Sequence, residues 1–121
     1  MNTSIIKKVL MALSGIFLMI FLLQHLAINL TSLIPDKGNT FNEISHFMGY
    51  NPIVQFLLQP ILICGVCVHF IMGLILEYQN RKARIEKYVY HKTKSSWVSK
   101  NMIISGLVIL AFLALHFYDF W

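Results

Sequence analysis

Charged side chains are scarce in this sequence. They make up 12% of its 121 residues, whereas apolar residues make up 57%. An ordinary soluble domain is about 25% charged, because its surface must face water. So few charges exclude a typical soluble fold, and the composition indicates an integral membrane protein.

Acidic residues are scarcer than basic ones: the sequence has five Asp and Glu residues and ten Lys and Arg residues. Lys and Arg near the ends of spans stay on the cytoplasmic side of a membrane. The first connection, residues 35–52, has one basic residue, Lys37, whereas the second, residues 77–101, is strongly basic. Its basic residues are Arg81, Lys82, Arg84, Lys87, Lys92, Lys94 and Lys100. We therefore predict a multi-pass protein of the inner (cytoplasmic) membrane whose N-terminus and residues 77–101 are cytoplasmic. The net positive charge is explained by membrane topology, or by docking to a partner or anionic lipid, so a nucleic-acid partner is not needed to explain it.

Cysteine is limited to Cys64 and Cys67, in the stretch CGVCVHF. Covalent haem attachment needs C-x-x-C-H, and here one extra residue precedes His69. One straight helix cannot direct both thiols and His69 to a common zinc ion, and apolar surroundings suppress thiolate chemistry. We interpret the two cysteines as small apolar packing residues.

Three apolar runs are long enough to cross a bilayer, at about 20 residues each: residues 9–34, 53–76 and 102–121. The first is longer than a signal-peptide core, contains Gln24, His25 and Asn29, and lacks a small-x-small cleavage site, so we predict that it is retained. The predicted fold class is all-α integral membrane: one domain, residues 1–121, forming a transmembrane helical bundle.

Each predicted span contains one histidine: His25, His69 and His116. A single intramembrane histidine could simply hydrogen-bond a neighbouring helix. Three, one on each helix, favour a function, because polar groups are costly in hydrocarbon. Neutral imidazole is a good axial ligand for haem iron, and a pair of such ligands on facing helices makes an electron-transfer centre.

The depths of these histidines predict two layers. His25 lies about 26 Å from Lys8, and His116 about 24 Å from Lys100, along their helices. The second span runs the opposite way, which places His69 only about 12 Å above the cytoplasmic edge. We therefore predict that His25 and His116 are a bis-histidine pair and that His69 belongs to another layer.

Small residues are in register with the histidines. A Ser-Gly pair precedes the histidine by eleven residues in the first and third spans, as Ser14-Gly15 before His25 and Ser105-Gly106 before His116. Eleven residues are close to three helical turns, so each serine is expected about 16 Å below its histidine, near the level of His69. On the second span Gly65 and Gly73 flank His69 at i−4 and i+4, which would clear room for a flat macrocycle. The alternative for any one of these small residues is close helix packing.

The sequence resembles the cytochrome b membrane anchor of succinate dehydrogenase and fumarate reductase, in its single-subunit, two-haem form. The resemblance covers essentially the whole chain. It rests on KKVLMALSGIFLMIFLLQHLAINL, NPIVQFLLQPILICGVCVHFIMGLILEYQNRKAR and SSWVSKNMIISGLVILAFLALHFYDFW, and on the order, spacing and flanking charges of the three histidines.

The resemblance implies five helices and two stacked b haems, of which this chain would supply three helices as the N-terminal portion of a longer chain. It implies that His25 and His116 hold the distal haem and that His69 holds the cytoplasmic one with a later span. It further implies electron transfer between membrane quinone, expected to be menaquinone, and two cytoplasmic partners, a flavoprotein and an iron–sulfur subunit. The chain would then be a subunit of an enzyme of the respiratory chain and tricarboxylic acid cycle, without a dicarboxylate site of its own. The residues leave the reaction direction open.

A quinone gaining two electrons also needs two protons. Glu43 and His46, in the first connection, are on the predicted side for this role, although ordinary solvated side chains are an equal explanation. In one branch of the family a glutamate lies four residues before the proline that opens the second span. Met48 takes that position here, which puts that branch's proton route in doubt.

Three other interpretations remain open. A cytochrome b from a hydrogenase or formate dehydrogenase also uses bis-histidine haems. The short three-helix anchor of another type of succinate dehydrogenase, in which two small subunits share one haem, fits the length of this chain. It needs fewer histidines than the three found here. The non-redox alternative is a small membrane scaffold without a cofactor.

Overall fold

The computed structural model describes residues 3–87 and 97–120, and within these ranges it contains helices and no strands. The helices are α1 (Thr3–Leu30), α2 (Asn39–Tyr50), α3 (Gln59–Lys87), α4 (Trp97–Lys100) and α5 (Met102–Phe120). Three stretches are long and apolar enough to cross a membrane: Thr3–Leu33, Val54–Ala83 and Met102–Phe120. The predicted all-α class with three spans is confirmed. Tyr118 is exposed on the last turn of α5, and Trp121 lies outside the described residues.

The chain forms two compact units, residues 1–69 and 70–121. The first contains α1, α2 and the part of α3 that ends at His69. The second contains the rest of α3 together with α4 and α5.

Helix α1 ends where its sequence changes from apolar to hydroxyl-bearing residues. It tightens into a 3₁₀ turn, Thr31–Leu33, in which the Thr31 hydroxyl donates to the carbonyl of Ile28 (2.6 Å) and the Ser32 hydroxyl to that of Asn29 (2.7 Å). Ile34 is extended (φ −67°, ψ 133°) because the ring of Pro35 excludes the helical conformation from the preceding residue. The first span therefore ends next to a proline.

A turn centred on Asp36 starts α2, a helix within residues that the sequence predicts only as a connection. Lys37 and Gly38 both have positive φ (61° and 82°), the left-handed conformation that is common in turns. The Asp36 carboxylate accepts bonds from the amide of Gly38 (3.0 Å) and from the amide and hydroxyl of Thr40 (2.8 and 2.5 Å). These bonds occupy donors that would otherwise be unpaired at the start of a helix.

Acidification should loosen this turn. Hydrogen bonds from the Thr40 hydroxyl and amide hold the pKa of Asp36 below its ordinary value of 3.8. A lowered pKa means that the carboxylate stabilises the turn above pH 3.8 and that this contribution disappears as the pH falls below it, through the folded-state pKa. The amide proton shifts of Gly38 and Thr40 should titrate together with a midpoint below 3.8. Asp36→Asn, which keeps an acceptor without a titrating group, should abolish that titration. A midpoint above 3.8 in the unmodified protein would contradict the assignment.

The second span begins at a cap and a proline. The Asn51 side chain accepts bonds from the amides of Ile53 (2.9 Å) and Val54 (3.3 Å), directly after α2. Residues Val54–Leu58 form a π-helical turn in which the amide of Gln59 reaches back to the carbonyl of Val54. Pro60 follows and has no amide proton to bond the carbonyl four residues before it, which is a common cause of such a local widening.

Helix α3 continues to Lys87, eleven residues beyond the predicted span end at Leu76, so Glu77, predicted to open the second connection, lies within the helix. Among the described residues Glu77 is the one that is buried, at 8% exposure, and its Oε1 accepts a bond from Nε of Arg81 at 2.6 Å. Arg81 is a turn further along α3 and mostly exposed. The pairing compensates a carboxylate that would otherwise be costly to bury. Lys92, Lys94 and His91 lie outside the described residues.

No apolar side chain is buried within the described part of the chain. Large apolar residues along all three spans are instead exposed, as with Met19 (69%), Leu23 (71%) and Val108 (65%). In a membrane protein such side chains face lipid or other helices, since hydrocarbon provides no force to bury them internally. The described helices thus have the outward apolar surface that is typical of membrane-embedded helices.

Candidate functional site

His69 on α3 contacts the Ser-Gly pair of α1. Its Nδ1 lies 2.9 Å from Oγ of Ser14. A methyl group added at Gly15 would lie 3.3 Å from Cε1 of His69 and 3.8 Å from its Nδ1, so the absence of a side chain at Gly15 lets the imidazole lie against the α1 backbone. The structure therefore brings together three predicted site residues, two from α1 and one from α3.

The contact fixes a level within the first unit. Ser14 and His69 are at the same height, as the sequence analysis expected of this serine. His25 follows Ser14 by eleven residues on α1, which is about 16 Å along the helix. His25 and His69 therefore lie at different depths.

Gly65 has a packing role. A methyl group there would lie 2.8 Å from Cε1 and 3.0 Å from Cδ1 of Phe17, a residue of α1. The space beside Gly65 is thus filled by a phenyl ring, and the clearance for a macrocycle at this position stays a prediction. The contact with Phe17 fits the alternative explanation for Gly65, which is close packing of two helices. Gly73, half-buried, lies one turn beyond His69 on α3.

His25 has an aromatic neighbour on its own helix. Its ring stacks on Phe21 one turn earlier, with centroids 5.5 Å apart and planes inclined by 22°. The carbonyl of His25 accepts a bond from the Asn29 side chain at 2.7 Å. The imidazole is half-buried, on a helix whose neighbouring side chains Leu23 and Leu26 are exposed.

His116 on α5 has a similar aromatic setting. Its ring stacks on Phe112 (5.5 Å, 17°) and is tilted against Phe120 (5.0 Å, 43°) and Phe117 (6.4 Å, 52°). Aromatic neighbours restrict the rotation of an imidazole and supply the apolar surroundings that suit a redox cofactor.

The stacked phenylalanines were missed by the sequence analysis, although a signal for them exists. The repeat in the first and third spans is longer than Ser-Gly and His: both spans fit M-x2-S-G-x5-F-L-x2-H. The matched residues are Met11, Ser14, Gly15, Phe21, Leu22 and His25 in the first span, and Met102, Ser105, Gly106, Phe112, Leu113 and His116 in the third. Alignment of the two spans places a phenylalanine at i−4 of each histidine, where it can stack on the imidazole in a helix.

The two halves of the repeat differ at the Ser-Gly pair. Ser105 is exposed and its hydroxyl donates to the carbonyl of Met102 at 3.0 Å, and a methyl group at Gly106 would meet nothing within 4 Å. Ser14 makes the equivalent bond to Met11 at 2.9 Å and in addition contacts His69. Only the first pair thus receives an imidazole in the described structure.

Glu43 and His46 both lie on α2 and are exposed. The ring of His46 stacks on Tyr50, with centroids 4.3 Å apart. They are three residues apart, on neighbouring positions of one helix face. Their placement at the end of the first span is compatible with proton exchange and equally with solvated side chains.

Cys64 and Cys67 are free thiols and are exposed on α3. Within the described ranges, no three His, Cys, Asp or Glu side chains converge as a metal site made by protein ligands alone. The predicted bis-histidine arrangement uses fewer protein ligands per iron, because the porphyrin supplies the others.

No protein family model, curated protein or solved structure matches this chain.

Proposed function

We propose that this chain is the membrane-anchor cytochrome b of a succinate dehydrogenase or fumarate reductase, and that it passes electrons between an iron–sulfur subunit and membrane quinone. The observation that carries the proposal is the setting of His69: an imidazole on an apolar helix, hydrogen-bonded through Nδ1 to Ser14. Its other ring nitrogen would bind the metal. A bound haem b would supply a one-electron carrier through its iron.

We propose two sets of residues that would hold such a group. His69 is the proposed ligand in one layer, where Ser14 and Gly15 fix its ring. His25 and His116 are the proposed ligands in the other layer, and each is oriented by a phenylalanine one turn earlier in its helix. Imidazoles restrained in this way lose little freedom on ligation, which favours binding.

The proposed partners follow from charge and depth. The basic end of α3, beginning at Arg81, would face the cytoplasm under the positive-inside rule, next to the layer of His69. It would then meet an iron–sulfur subunit, which in turn contacts a flavoprotein. Quinone would bind nearer His25, where Glu43 and His46 on α2 are the proposed proton donors.

A cofactor-free scaffold is the second candidate, and one observation favours it. The contacts of Gly15 with His69 and of Gly65 with Phe17 are close helix packing, for which a hydrogen-bonded histidine is sufficient. The two functions differ in colour: a scaffold is colourless, whereas a b-type cytochrome absorbs visible light.

A reduced-minus-oxidised spectrum with a pyridine haemochrome assay tests the proposal on the intact protein extracted from its membrane. We expect protohaem, together with co-purifying flavin and iron–sulfur subunits. Protohaem that co-purifies with hydrogenase or formate dehydrogenase subunits would support the cytochrome b assignment but would show that the chain belongs to a different complex. A well-folded preparation without haem would favour the scaffold.

A further inference from the structure

The hydroxyl of Ser14 lies between two partners. Its Oγ is 2.9 Å from the carbonyl oxygen of Met11 and 2.9 Å from Nδ1 of His69. A serine hydroxyl has one proton to donate and lone pairs to accept. The carbonyl of Met11 can only accept, so a bond to it uses the Ser14 proton.

Other hydroxyls in the described part of the chain also donate to a backbone carbonyl, and their bonds do not involve an imidazole. Thr31, Ser32 and Ser105 each donate to the carbonyl three residues before them, at 2.6, 2.7 and 3.0 Å. Bonding back to the preceding turn is the habitual choice of serine and threonine in helices. Ser14 donates to Met11 for the same reason, which leaves its lone pairs to face His69.

From this geometry we propose that Ser14 is a positioning residue that holds His69 with its proton on Nδ1, so that Nε2 presents a lone pair to a metal. The bond to His69 must then use the ring's proton, because the hydroxyl's own proton is on the Met11 side. Gly15 completes the arrangement by letting the ring lie close to α1. That the metal is haem iron rests on the proposed function, whereas the tautomer is a property of this chain alone.

Nitrogen-15 NMR of the full-length, haem-free protein in lipid nanodiscs, labelled at histidine, reads the tautomer directly. The signals of His69 are identified by their absence from His69→Ala. We expect Nδ1 to be protonated and Nε2 unprotonated in the unmodified protein and in Ser14→Thr, which keeps the hydroxyl. Ser14→Ala should lose this preference and populate both tautomers.

Haem titration of the same samples supplies the second readout. Loss of a hydrogen bond that orients a metal-binding histidine typically lowers affinity about 10- to 100-fold, and we expect a loss of this size at the His69 site in Ser14→Ala. Ser14→Thr should restore most of it. Ser32→Ala is the matched control: it removes a hydroxyl with the same backbone bond but no imidazole, and should change neither readout.

The outcomes separate this inference from the proposed function. If the protein takes up no haem and Ser14 still sets the tautomer, the positioning role stands and the haem function fails. An unprotonated Nδ1 in the unmodified protein would overturn the inference. So would a Ser14→Ala variant with unchanged tautomer and unchanged haem affinity, even in a protein that binds haem.

Discussion

We expect His69→Ala to remove one b haem from the intact protein and to leave the other, and we expect His25→Ala and His116→Ala each to remove the haem that His69→Ala spares. The reason is depth. Because Ser14 contacts His69 and lies about 16 Å along α1 from His25, the imidazoles of His25 and His69 cannot serve the same iron. Alanine offers no lone pair, so the affected iron loses an axial ligand and a low-spin bis-histidine centre cannot form.

Haem content per protein and a redox titration followed at the visible haem bands measure this result. The unmodified protein should titrate in two components, and each variant should retain one of them. His91→Ala, at a histidine outside the described residues and outside the spans, should retain both. If every one of the three ligand variants lost both haems equally, the two-layer assignment would be wrong.

Gly15→Leu should abolish haem binding at His69 nearly as completely as His69→Ala does. Even a methyl group at Gly15 would lie 3.3 Å from Cε1 of His69, and leucine adds three more carbons beyond that methyl position. Overpacking of this kind typically costs about 1–3 kcal/mol. The strain is expected to be relieved by moving the imidazole away from α1, which breaks the bond to Ser14.

Gly15→Ala separates ring displacement from general misfolding, because a methyl group requires a shift of only a few tenths of an ångström. It should retain the haem at His69 with an altered midpoint potential. Gly49→Leu is the control for adding leucine, since nothing lies within 4 Å of a side chain at that position. Thermal unfolding of each variant shows whether the bundle persists. A Gly15→Leu protein that kept this haem at an unchanged potential would show that Gly15 has no part in the site.

Some features of the fold were predictable because their signals are local. Runs of about 20 apolar residues predict spans, and the structure has a helix at each of the three. The level of Ser14 was predictable as well, because rise per residue fixes heights along a helix. Helix α2 was not predicted, since half of its sequence NTFNEISHFMGY is polar and it lacks a long apolar run. It depends on the Asp36 turn and on packing against α1 and the π-helical turn.

The sequence by itself determined that this is an all-α protein with three apolar spans, each bearing a histidine, because hydropathy and residue order act along the chain. Only the tertiary structure decided that the imidazole of His69 meets Ser14 and Gly15 and that the ring of Phe17 covers Gly65. These contacts depend on how each helix is rotated about its axis. That rotation is set by side chains from two helices meeting at once, and neither segment contains it alone.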